Sequence, residues 1–214
     1  MKTRFLFLAT LFAFVFDACC DKANESVVSD ADNATIATIM NRKSVRSYTD
    51  QPITDSVMDI LLHAAVAAPS GMDVRPWHIV VLTDKSQYDT IFAGNFNMKK
   101  FKESAAVVIF CADTTVTRPP RDNPDAPAVT TPNSIWRDDM GACTENFLLA
   151  VEACGLGACW TACYPFENTM KPVREYLNLP GNIVPYSIVP VGYPAGDVAP
   201  KDKWDESRIH RGRW

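Results

Sequence analysis

Apolar residues recur along this 214-residue chain with two different periods, and the alternation between them predicts an ordered series of helices and strands. The longest pattern is Trp136, Met140, Cys143, Phe147, Val151 and Cys154. Steps of three and four residues put these on one stripe of a helix about five turns long, which Gly155 stops. Two shorter helices precede it. The first carries Ile36, Ile39 and Met40 toward the core; the second, from about Asp55, carries Val57, Ile60, Leu61, Ala64 and Ala65 and ends by Pro69. Residues 77–83 and 105–112 are β-rich runs that read as buried strands, with a helical segment over 86–92 between them. Residues 114–133 are rich in proline and poor in apolar side chains, which predicts a long surface excursion of the kind that covers a site. A strand near 158–162, a helix near 168–177 and a strand near 186–191 complete the body. Residues 195–214 are charged and weakly patterned; such a tail is ordered only by lying on something else, here a partner subunit.

The amino terminus follows a different pattern. Lys2 and Arg4 precede a run over residues 5–16 that is apolar except for Thr10, and Asp17, Ala18, Cys19 and Cys20 follow. The run is shorter than the roughly 20 residues a bilayer span requires, and its basic start fits a secretory signal over residues 1–20. Ala18 before Cys19 also resembles the cleavage box of bacterial lipoproteins, with Asp17 an awkward member. Cys19 or Cys20 would then carry the lipid that attaches the protein to the cell envelope. The other reading is an apolar helix of the mature fold in a cytoplasmic protein. Residues 21–33 are polar and small and read as a tether, so the folded domain begins near Ala34 and runs to Trp214 as one unit.

Composition narrows the chemistry. A formal charge of −4 argues against nucleic acid as a partner, so any anion site must be a local cluster of basic residues. Cys111, Cys143, Cys154, Cys159 and Cys163 are odd in number and lack a C-x-x-C pair, so they read as small core residues; a thiolate near the active site from Cys154, Cys159 or Cys163 is the lesser reading. His63, His78 and His210 lack metal-ligand spacing. No G-x-S-x-G or G-x-G-x-x-G element is present, which argues against a serine hydrolase and against a separate dinucleotide domain.

One motif does suggest a site. Arg42-Lys43-Ser44-Val45-Arg46 puts three cations and a hydroxyl within five residues, directly after the first predicted helix. Guanidinium forks, an ammonium and a hydroxyl are the groups a dianionic phosphate wants, although an isolated run of this kind is more often a solvated turn. Its company is more informative. Gln51-Pro52-Ile53, Ala67-Ala68-Pro69-Ser70 and Arg75-Pro76-Trp77 follow it, then Glu145-Asn146-Phe147-Leu148-Leu149-Ala150, Gly155-Leu156-Gly157 with Cys159-Trp160-Thr161, Leu177-Asn178-Leu179-Pro180, Val191-Gly192-Tyr193-Pro194 and the tail from Lys201 to Trp214. In this order the landmarks resemble the FMN-dependent nitroreductase family over about residues 38–214.

The resemblance implies an α+β fold with a central, mostly antiparallel sheet flanked by helices. It also implies a C-terminal extension exchanged in a homodimer, with FMN in clefts between subunits. Carried over residue by residue, it assigns Arg42, Lys43, Ser44 and Arg46 to the phosphate side of FMN, joined by Lys201 and Lys203. Pro69, Ser70 and Gly71 match the loop that reaches the flavin ring from the other subunit, and Trp160, Thr161 and Ala162 match the segment whose backbone runs beside it. Three positions depart from the family's usual residues: Asp73 replaces asparagine, Arg75 replaces glutamine and Lys203 replaces arginine. An ionised aspartate can only accept hydrogen bonds at the flavin's pyrimidine edge, and Arg75 either offsets its charge there or forms a plain surface ion pair with it.

The implied activity is reduction of nitroaromatics, quinones or similar small acceptors by NADH or NADPH, one site serving donor and acceptor in turn by a ping-pong scheme. Export conflicts with a cytoplasmic donor, so two alternatives stay open. One is a specialised flavin reductase or dehalogenase fed by another reductant; the other is an exported lipoprotein that binds flavin and has lost turnover.

Overall fold

The computed structural model describes residues 33–93 and 96–214; the proposed signal over 1–20 and all but the last residue of the tether over 21–33 lie outside them, and that residue, Asn33, caps the first helix. A five-stranded antiparallel sheet forms the centre, in the order β1 (Trp77–Leu82), β2 (Ala106–Asp113), β7 (Ile183–Gly192) and β5 (Gly157–Ala158), with β6 (Thr161–Ala162) also paired to β7. The helices are α1 (Ala34–Asn41), α2 (Asp55–Val66), the short α3 (Tyr88–Ile91), α4 (Trp136–Ala153) and α5 (Glu167–Leu177). A separate hairpin, β3 (Thr115–Arg118) with β4 (Val129–Pro132), joins β2 to α4. This is the α+β architecture the resemblance implies.

Strand β2 is buried on both faces, and the alternation of its side chains divides the core in two. Ala106, Val108, Phe110 and Ala112 face α2 and α4, whereas Val107, Ile109 and Cys111 face the layer of α3 and α5. The apolar stripe of α4 explains the first layer: Trp136, Met140, Cys143, Phe147 and Val151 are buried against the sheet. Phe147 meets Phe110 edge to face with ring centroids 5.4 Å apart. Emptying such a position costs about 3–5 kcal/mol, so this contact locks helix to sheet. Gly155 adopts φ +71 and turns the chain out of α4, as its place after the stripe predicts.

Several expectations need correction. Strand β1 is half-buried, because it is an edge strand paired only to β2. No residue of α1 is buried, and Ile39 and Met40 are 47% and 63% exposed. On α2, Leu61 and Ala65 are buried as expected, but Ile60 is 56% exposed and the unpredicted Met58 takes a core position. The apolar arc on these helices is wider than the face the sheet covers, so part of it points outward. Cys154 is exposed, since α4 ends one residue before it and frees it from the stripe, whereas Cys111, Cys143, Cys159 and Cys163 are buried. The strand expected over 158–162 is two short pieces, and the ladder is interrupted opposite Pro190, which has no N–H to give although its carbonyl accepts from Cys159 N at 3.2 Å. The proline-rich excursion is partly ordered: β3 and β4 pair from Thr115↔Pro132 to Arg118↔Val129, with β4 exposed and β3 mostly half-buried.

Candidate functional site

The segment carrying Arg42 to Arg46 is held against the sheet by a short parallel bridge. Ser44 lies opposite Ala158, and Val45 N–H donates to Ala158 O at 2.9 Å. Val45 is buried, and its side chain lies over Gly157 so closely that a Cβ there would meet Val45 Cγ2 at 2.5 Å. Gly157 is thus required by close approach, which explains the second glycine of Gly155-Leu156-Gly157. Tyr48 completes the support. Its buried hydroxyl bonds Val45 O at 2.8 Å and Pro190 O at 3.1 Å, and burial raises its pKa well above the ordinary phenol value.

With that backbone fixed, the tail returns to it. Thr49 N–H donates to Tyr193 O at 2.8 Å and Ala195 N–H to Ser47 O at 3.0 Å, which directs residues 198–203 across the basic segment. The result is a cavity of about 270 Å³ lined by Arg42, Lys43, Ser44, Arg46, Val198, Ala199, Lys201 and Lys203. Six of the residues assigned to phosphate from the sequence therefore converge from positions some 160 apart in the chain.

The five cations lining the cavity are not equivalent. Arg42 Nε lies 3.2 Å from Glu145 Oε1, and Lys43 Nζ lies 2.8 Å from Glu152 Oε1. Both carboxylates project from α4 and are seven residues, or about two turns, apart on one face. Arg42 spends its Nε on this contact and keeps its terminal nitrogens; Lys43 commits its ammonium. Arg46 donates to the nearby Ser44 carbonyl at 3.2 Å, and among the described residues no carboxylate lies within ion-pair distance of Arg46, Lys201 or Lys203. Cys159 is buried beside this cluster, where burial raises its thiol pKa and Arg46, the Ser44 hydroxyl, Lys100 and Arg42 offset part of the rise.

The other sequence-assigned residues lie elsewhere in the protomer and do not line this cavity. Trp160 packs edge-on to Tyr186 at 5.9 Å, and the Thr161 hydroxyl is spent on Ile188 O, so this segment has mainly backbone to offer, as does exposed Ala162. The loop of Pro69, Ser70 and Gly71 is anchored by Gly71 N–H donating to Asp139 Oδ1 at 2.8 Å, and a Cβ at Gly71 would collide with Ile135. Beyond it Met72, Asp73 and Arg75 have φ of 57, 54 and 51, three left-handed residues, none a glycine, with right-handed Val74 between the last two. Arg75 grips Asp73 through both Nε (2.6 Å) and Nη2 (2.5 Å), and this hydrogen bonding holds the Asp73 carboxyl below its usual range. Sequence reasoning did not identify Tyr48 or Glu152, and it quoted Glu145 only as a landmark of the resemblance, without a role at the site. The seven-residue spacing of the two glutamates on an otherwise apolar-striped helix is the one signal that could have found them.

An antiparallel sheet sandwiched by helices, with a basic cavity lined in part by the chain's own tail, defines an α+β protein. Comparison with known proteins makes the class specific: the sequence matches the Nitroreductase family over residues 39–93 and 87–193, and the chain belongs to that family. An Archaeoglobus fulgidus protein provisionally named NADH dehydrogenase/NAD(P)H nitroreductase is 34% identical over 82% of this chain and 96% of its own length. A Vibrio harveyi NADPH-flavin oxidoreductase is 34% identical over 76% of this chain and 66% of its own. Among solved structures, a Bacteroides thetaiotaomicron protein with the same provisional name shares 38% identity and superposes with a TM-score of 0.75, covering 85% of this chain and 99% of that one.

Proposed function

We propose that this protein is an FMN-dependent NAD(P)H oxidoreductase that reduces small organic acceptors such as nitroaromatics and quinones. The convergence of Arg42, Ser44, Arg46, Lys201 and Lys203 on one phosphate-sized cavity is the observation that carries this reading. The donor set fits the group: guanidinium nitrogens, a hydroxyl and two ammoniums supply charge-assisted hydrogen bonds to a dianion. Lys43 lines the cavity, but its ammonium is tied to Glu152, so it braces the segment rather than serving as a primary phosphate ligand. When bound, FMN would supply the redox chemistry between the nicotinamide and the acceptor. Trp160, Thr161 and Ala162 would flank the ring with backbone groups, and Pro69, Ser70 and Gly71 would approach it from a second copy. Names of relatives such as NADPH-flavin oxidoreductase and FMN reductase support this cofactor and donor.

A homodimer is part of the same proposal. Ile39, Met40, Ile60 and Val66 are exposed, and an apolar groove of about 500 Å³ runs between α1, α2 and α4, lined by residues including Ala34, Ile39, Ala67, Leu149 and Ala153. Exposed apolar area of this kind marks an association surface. Among the described residues no helix is long and apolar enough to cross a membrane. The proposed signal over residues 1–20, with lipid on Cys19 or Cys20, is tested by incorporation of labelled fatty acid in a bacterial host.

The deciding experiment is spectroscopic. Protein purified without added cofactor should be yellow with flavin absorbance, and anaerobic NADH or NADPH should bleach it, with parallel reciprocal plots in steady-state assays with an acceptor. Yellow protein that does not bleach would favour a flavin binder or another donor, and protein that cannot take up FMN would refute the assignment.

A further inference from the structure

The hairpin of β3 and β4 carries two arginines that the cofactor cavity does not use. Arg118, at the end of β3, and Arg121, in the turn, both donate to the sulfur of Met72, Arg118 through Nη1 at 2.8 Å and Arg121 through Nη2. Both guanidinium groups reach the same atom, so their terminal nitrogens lie within a few ångströms of each other. A thioether is a weak, uncharged acceptor and cannot neutralise them. Asp73 is already engaged by both donors of Arg75, and although Asp122 and Asp125 stand in the same turn, among the described residues no carboxylate lies within ion-pair distance of Arg118 or Arg121. Two like charges held together repel, and the arrangement needs a rigid frame or a shared anion to persist. The frame is present: Pro119 and Pro120 stiffen the turn, and Thr117 and Thr130 join across the hairpin through their hydroxyls at 2.8 Å. The two arginines line a concavity of about 220 Å³ with Pro119, Pro120, Val129 and Thr131, room enough for a phosphate group.

Met72 belongs to the same left-handed run as Asp73, next to Gly71, so the paired guanidiniums border the loop assigned above to the flavin ring. We propose that Arg118 and Arg121 form a second anion site that takes the phosphate monoester of a nucleotide exchanging electrons with the resident flavin. This rests on the cofactor assignment above. Two nucleotides carry such a group: NADPH through its adenosine 2′-phosphate, and free FMN as an acceptor through its ribityl phosphate. Paired guanidiniums bind a phosphate monoester bidentately, and the 2′-hydroxyl of NADH or the terminal hydroxyl of riboflavin offers no such charge. The site therefore discriminates between nucleotides that differ only in that phosphate.

The test is calorimetric titration of the FMN-loaded protein and of the double variant Arg118→Gln/Arg121→Gln, which alters exposed or half-exposed side chains and leaves the core intact. Adenosine 2′,5′-bisphosphate against adenosine 5′-monophosphate probes the donor source, and FMN against riboflavin probes the acceptor source. The wild type should prefer the phosphorylated member of one pair by at least about tenfold, and the variant should lose that preference. Which pair responds identifies the nucleotide, and the corresponding KM for NADPH or for FMN should rise while that for NADH or riboflavin stays put. If the variant retains every preference of the wild type, or the wild type has none, the proposal is wrong. Such a failure leaves the yellow colour and its bleaching by NADH intact, whereas failure of the cofactor assignment removes them; the adenosine pair still reports on the hairpin in flavin-free protein.

Discussion

Gly157→Ala is the smallest change that should disturb the basic cavity without touching a charged group. The added Cβ would lie 2.5 Å from Val45 Cγ2, 2.6 Å from Val45 Cβ and 2.8 Å from Val45 Cγ1. Favourable carbon contacts lie near 3.5–4.0 Å, so relief requires a movement of about 1 Å. Neither side yields easily: Val45 is buried, and the two backbones are joined by the Val45 N to Ala158 O bond. Overpacking of this kind costs about 1–3 kcal/mol. In a domain of this size that lowers Tm by roughly 2–12 °C. The displaced backbone carries Ser44 and Arg46, so flavin retention should fall with stability, read as FMN per protomer after gel filtration. Adding Val45→Ala should recover only part of the loss, because Val45 Cβ itself is among the clashing atoms. Gly181→Ala is the control, since a Cβ at that position would meet nothing within 4 Å and the φ of Gly181 is not in the left-handed range. A Gly157→Ala protein that melts with the wild type and keeps stoichiometric flavin would refute the account of this bridge.

Three further outcomes follow from single sites. Under native conditions a maleimide should label Cys154 alone among the five cysteines from Cys111 onward, because the other four are buried and burial pushes the thiols of Cys111, Cys143 and Cys163 up to about 12; mass spectrometry of the digest checks this. Arg46→Ala should weaken FMN binding about ten- to a hundredfold, the loss of a charge-assisted contact, measured by flavin fluorescence quenching. Burial raises the Asp113 pKa, but hydrogen bonds from the Thr115 side chain and backbone and from Asn182 outweigh it and leave the carboxyl below its ordinary value. A depressed folded-state pKa adds stability that is present above the unfolded value of about 3.9 and is lost as pH falls through the folded one. Asp113→Asn should therefore flatten the fall in Tm between neutral pH and about pH 3, and an unchanged slope would contradict this.

What the sequence made legible was whatever depends on period. The stripe of α4 and its stop at Gly155 could be read because one face of a long helix is buried against a sheet and the pattern repeats over several turns. Strand β2 was legible because a continuous apolar run has few other destinations. The misreadings at Ile39, Met40 and Ile60 share a cause: a side chain's hydrophobicity does not say whether its own chain covers it. The hairpin was missed because Thr115 to Arg118 and Val129 to Pro132 are too short and too polar to announce a strand, and their pairing depends on the register across a proline turn. At the site, the basic motif and the tail lysines were visible separately, but the backbone bonds at Ser47 and Thr49 that bring them together are not encoded in side-chain type.

The glutamates of α4 change how the basic cavity should be understood. An acidic chain with a net charge of −4 gathers five cations around one small space, and their mutual repulsion would scatter them if nothing opposed it. Glu145 and Glu152 oppose it at the two cations nearest the helix, so Arg42 and Lys43 are oriented before any ligand arrives, which lowers the ordering cost of binding. The remaining positive charge comes from Arg46 and from Lys201 and Lys203, all exposed and without a carboxylate in reach among the described residues. Attraction exerted by exposed charges is screened by salt, whereas that of partly buried pairs is screened less. The cavity thus combines a fixed wall, set by the helix, with a salt-sensitive one, set by the tail. Cofactor loss at raised ionic strength should therefore begin at the exposed cations, and Arg46, Lys201 and Lys203 should account for most of the salt dependence while Arg42 accounts for little.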